Sequence, residues 1–139
     1  MAQSKQRSQE WQAIAGDVVV SFVDAINNAD TERLVDLFAT DAHVNDQLRD
    51  FWGKAAIGNW VRREIVGERL HVEVLEARGH FGDLILSANV SGDFDKTGLP
   101  DPSVLNFIFS FSDGKVARLI ILMTRPGQTE PEVRKIGSE

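Results

Sequence analysis

The 139-residue chain is 42% apolar, enough for one domain that buries roughly two-thirds of its unfolded surface. Its 21 acidic residues outnumber 15 basic ones, for a net charge of −6 without any basic run, so no nucleic-acid partner is expected. The absence of cysteine excludes disulfides, thiolate metal sites and a thiol nucleophile.

The opening "MAQSKQRSQEW" is polar, without the apolar core of a secretory leader, and residues 1–10 are expected to form a tail. No window approaches the ~20 apolar residues of a membrane span, so a soluble, cytoplasmic protein without membrane contact is expected. From Trp11 to Ile26 apolar residues recur at the spacing of one helix face, predicting a first helix that "NNAD" ends. Asp30 or Thr31 can cap a short second helix through Leu34, Val35, Leu37 and Phe38.

"AHVND" alternates as a strand does, with Ala42, Val44 and Asp46 on one face and His43 and Asn45 on the other. A loop follows, and Ala55, Ala56, Ile57, Trp60, Val61 and Ile65 predict a third helix stopped near Gly67. The period then changes. "LHVEVLEAR" and "LILSANVSGDF" read as strands turned by "GHFGD", and Pro100 and Pro102 break "DKTGLPDPS" into a loop. "VLNFIFSF", the turn "SDGK" and "VARLIILMT" predict a closing hairpin, and residues 126–139 are expected as a second polar tail. Three N-terminal helices and about four long antiparallel strands imply an α+β domain over residues 11–125, with the helices on one face of a curved sheet. "FIFSF" and "LIILM" are more apolar than a half-solvated sheet needs, so the outer face is expected to meet a second copy in a homodimer.

The stretches "VVSFVDAINNADTERLVDLFATDAHVND", "WGKAAIGNWV" and "VLNFIFSFSDGKVARL" resemble the nuclear transport factor 2-like superfamily, which includes ketosteroid isomerase, limonene epoxide hydrolase and the SnoaL-like polyketide cyclases. The resemblance covers roughly residues 11–125 and implies a curved antiparallel sheet forming a cone-shaped barrel around an apolar pocket, often dimerised through its outer face. It implies no function by itself, because the fold hosts enzymes, binding modules and transport factors.

In the superfamily's isomerases the strand after "FAxDA" carries the general-base aspartate, which falls on Asp46 here. Alternation within "AHVND" independently gives Asp46 the face of Val44, so an inward carboxylate is coherent; a structural role capping the following loop is the alternative. The isomerases' oxyanion tyrosine falls on Phe22, which cannot donate, and their protonated aspartate on Asn106, whose amide can. Losing one oxyanion donor costs ~3 kcal/mol, so a full ketosteroid isomerase is not expected. The epoxide hydrolases' Arg-x-Asp has no counterpart in "LILSANVSGDF".

A SnoaL-like cyclase or isomerase needs only a base and a shaped apolar pocket. Asp46 and Asn106 are the catalytic candidates, with Phe22, Val44 and Trp60 lining a pocket for a small apolar or aromatic molecule. The same residues suit a non-catalytic ligand-binding or protein-interaction module, and Trp60 equally suits plain core packing. No cofactor is expected. "DFDKTG" opens like a calcium loop but places Val104 where the closing acid belongs, and His43, His71 and His80 lack metal-ligand spacing, so no metal is expected.

Overall fold

The computed structural model describes residues 10–123. The expected tails lie outside this range, apart from residue 10. Residues 10–15 are helical, and α1 (Asp17–Asn27) follows after a break at Gly16. The apolar spacing predicts one continuous helix; the interruption comes from Gly16 at φ 86°, a conformation open to glycine without steric cost. Val19, Phe22, Val23, Ala25 and Ile26 form the buried face of α1. Asp30 caps α2 (Thr31–Asp36) by accepting a hydrogen bond from the Arg33 amide at 3.2 Å.

Phe38, expected on the second helix, instead begins β1 (Phe38–Asp46). The segment expected as a loop contains a second strand, β2 (Arg49–Trp52), paired antiparallel with β1. Gln47 and Leu48 make the intervening turn with φ of 53° and 76°, the double positive φ that matches strand twist in a two-residue hairpin. Neither is Gly, Asn or Asp, so the usual hairpin signal is missing; the Asn45 side chain supports the turn by accepting from the Leu48 amide at 3.0 Å. Helix α3 (Gly53–Trp60) runs on as a π-helix, Val61–Val66. Gly67 ends it where a Cβ would collide with the Arg62 and Arg63 carbonyls.

The remaining strands are β3 (His71–His80), β4 (Asp83–Ser91), β5 (Val104–Ser112) and β6 (Lys115–Met123). The six strands form one mixed sheet in the order β2-β1-β6-β5-β4-β3. Its neighbours are antiparallel except β1 and β6, which run parallel. The sheet is open: β2 and β3 are its edges, so the helices and curvature of the expected cone are present while the barrel is not closed. A bulge between Val74 and Glu76 bends β3 and keeps Ala77 on the buried side with Val72. At this edge the Asn27 side chain donates to the Val72 carbonyl at 2.9 Å and accepts from its amide at 2.7 Å, tying α1 to the sheet.

The helices pack on one face of the sheet. Phe22 meets Phe38, Phe107 and Phe109 edge-on, with centroids between 5.0 and 6.4 Å apart. The opposite face carries Ile85, Ile108 and Ile120 side by side in register. Among the described residues, no helix is long and apolar enough to cross a membrane.

Candidate functional site

A cavity of about 230 Å³ lies between the π-helix, the ends of β1, β5 and β6, and the loop joining β4 to β5. Its walls are mainly apolar, among them Ile65, Leu70, Phe94, Leu105, Phe107 and Ile121. Asp46, Gln47, Arg49 and Glu64 form its polar end.

Asp46 reaches this end because it is the last residue of β1 and follows Ala42 and Val44 on the buried face. It is 8% exposed. Its Oδ2 accepts from the Trp60 indole Nε1 at 3.0 Å and from Arg49 Nη2 at 2.9 Å, and its Oδ1 accepts from the Gln47 side-chain Nε2 at 3.2 Å. Arg49, opposite Asp46 across the hairpin, also donates from both terminal nitrogens to Glu64, at 2.9 and 2.6 Å. A guanidinium thus bridges two carboxylates that lie eighteen residues apart in the chain.

The bonds to Glu64 hold the Arg49 guanidinium above its ordinary range; burial opposes this, and the charges of Glu64 and Asp46 add to it. Reciprocally, the Arg49 hydrogen bonds hold the Glu64 carboxyl below its ordinary range against an opposing burial effect.

Of the residues expected at the site, Asp46 and Trp60 come together and line the cavity. Val44 and Phe22 are buried in the core but are not part of the cavity lining. Asn106 lies elsewhere: Leu105, Phe107 and Phe109 take the buried side of β5, which turns Asn106 to the opposite face, where it accepts from the Ser87 hydroxyl at 2.6 Å. The alternation of "VLNFIFSF" already contains this placement. Arg49, Gln47 and Glu64 are site residues that sequence reasoning misses. Arg49 was hidden by the loop reading, although an acid and an arginine three apart around a turn were a usable signal. Nothing local marks Glu64.

The calcium-like "DFDKTG" is otherwise engaged: Asp93 pairs with Arg69 at 2.8 Å, and Asp95 accepts from the Thr97 amide at 3.0 Å. His43 faces away from Asp46, stacked on Trp52 with centroids 3.9 Å apart and hydrogen-bonded to Asp50 at 2.7 Å.

The SnoaL-like domain pattern matches residues 19–119 of the chain. No curated protein matches it significantly. Among solved structures, a Sinorhizobium meliloti protein provisionally named a polyketide cyclase is 32% identical, with a TM-score of 0.69 over 77% of this chain and 94% of that one. A Kribbella flavida protein provisionally named a ketosteroid isomerase is 14% identical, with a TM-score of 0.65 over 82% and 80% of the two chains. A SnoaL-like protein of unknown function from Burkholderia thailandensis is also 14% identical, with a TM-score of 0.65 over 76% and 91%. The chain belongs to the SnoaL-like domain family, on the nuclear transport factor 2-like fold.

Proposed function

We propose that the cavity binds a small apolar or aromatic molecule and that Asp46 acts there as the general base of a proton-transfer isomerase or cyclase. The observation that carries this reading is a nearly buried carboxylate at a polar end of a mainly apolar cavity. Both strong donors sit on Oδ2, which leaves Oδ1, held among the described residues by Gln47 alone, as the oxygen to take a proton from carbon. In that step the C–H bond next to a substrate carbonyl breaks, the proton passes to Oδ1, and the electron pair moves onto the carbonyl oxygen as an enolate. Return of the proton at another carbon gives isomerisation; attack of the enolate carbon on a second carbonyl gives cyclisation.

A second reading has its own support. Three hydrogen bonds on Asp46 also suit a structural pin that closes the hairpin against α3, and a ligand-binding module would then need no turnover. Hydrogen–deuterium exchange at the acidic carbon of a cavity-sized β-dicarbonyl compound separates the two. Catalysed exchange by the wild type, lost in Asp46→Asn with fold and ligand affinity retained, supports the base. Exchange at the same rate in both proteins refutes it, and binding without exchange in the wild type favours the module.

We propose in addition that the outer sheet face pairs two copies of the chain. The row of Ile85, Ile108 and Ile120, beside the partly exposed Leu122, supports this. Sedimentation as a monomer at micromolar concentration would refute it.

A further inference from the structure

The charges around the cavity are unbalanced. Among the described residues, Asp46, Glu64, Glu68 and Asp95 line it against one cation, Arg49, a formal balance of −3. Arg49 is already engaged by two of these carboxylates, so an anionic ligand would meet a committed guanidinium and two further negative groups. Among the described residues no hydrogen bond or ion pair engages the Glu68 carboxylate. The π-helix also ends at this wall, at Val66, adding the partial negative charge of a helix C-terminus to the same side. Lys96, whose ammonium lies 5.5 Å from the Phe94 ring centroid, is not part of the lining.

We infer that the ligand class of this cavity is an apolar molecule bearing a basic nitrogen, whose ammonium is received by Glu68 and Asp95 while its apolar body rests on Leu70, Phe94 and Leu99. The inference rests on the cavity being the binding site and is independent of whether Asp46 acts as a base. Anionic acyl, phosphate or carboxylate ligands are disfavoured at the same wall.

The test is isothermal titration calorimetry with three probes sharing one skeleton: 2-naphthylmethylamine, 2-naphthalenemethanol and 2-naphthoic acid, at neutral pH in low and moderate salt. The amine should bind about tenfold more tightly than the acid, with the alcohol between them and the gap narrowing as salt rises. The Glu68→Gln/Asp95→Asn double variant should lose most of that gap. A control double variant, Glu32→Gln/Asp113→Asn, removes the same net charge away from the cavity and should keep it. Circular dichroism confirms that each variant is folded. Equal or tighter binding of the acid, or a gap that survives in the first variant, overturns the inference while leaving the cavity as a binding site. Failure of all three probes to bind overturns both.

Discussion

The β1–β2 hairpin carries two carboxylate clusters, one on each face, and they differ sharply. Inward, Asp46 meets Arg49, Trp60 and Gln47, with its side chain 11% exposed. Outward, Asp50 meets His43 and Asn45 at 2.7 and 2.8 Å, with its side chain 51% exposed. The Asn45 hydrogen bond, followed by that from His43, holds the Asp50 carboxyl below its ordinary range. Both acids are hydrogen-bonded and close in sequence, so residue type does not distinguish them. Alternation does: the cross-strand pairs Asp46–Arg49 and Val44–Phe51 take one face, and Asn45–Asp50 and His43–Trp52 take the other. The inward set closes an apolar cavity. The outward set lies on an open sheet face, where the His43 Nδ1 is buried with no partner among the described residues.

The contrast can be broken most strongly at Trp60. Trp60→Phe keeps an aromatic ring but removes the indole donor to a nearly buried carboxylate, and should cost about 2 kcal/mol in urea unfolding. Arg49→Met leaves Asp46 and Glu64 facing each other without their bridge. Because the arginine side chain is 51% exposed, solvent screening limits the loss to about 1 kcal/mol, measured in the same way.

Glu64→Gln sharpens the comparison through pH. The folded carboxyl lies below the ordinary value of 4.5, so the wild type gains stability from it above that value. This gain disappears as pH falls through the lower folded value. The stability difference between wild type and Glu64→Gln should therefore be largest near neutrality and vanish in acid, as followed by melting temperature across a pH series. The smallest effect is expected at Asp50→Asn, which keeps an acceptor for His43 on an exposed face and should leave the melting temperature nearly unchanged. A drop as large as that of Arg49→Met would show that the outer cluster matters more to the fold than its exposure implies.

The residues that sequence reasoning placed well share a local cause. Asp30 caps α2 because a short acceptor before a helix is recognised within three residues. Asp46 faces inward because strand period forces it to follow Val44. Asn106 shows the reverse: a position carried over from family resemblance contradicted the alternation of its own strand, and the alternation prevailed. The missed β2 strand has a conformational origin, since its turn demands positive φ from Gln47 and Leu48, residues without the glycine or asparagine that announce such turns.

Local pattern alone determined the helices that pack against the sheet, the inward direction of Asp46 and the acidic character of the chain, because period, capping and charge are properties of short segments. The tertiary structure alone decided that Glu64 would reach Arg49, that the sheet would stay open with β1 parallel to β6, and that Asp46, Glu64, Glu68 and Asp95 would line one cavity. These are contacts between distant segments. Their energies depend on distances that arise only when α3 is laid across the ends of the strands.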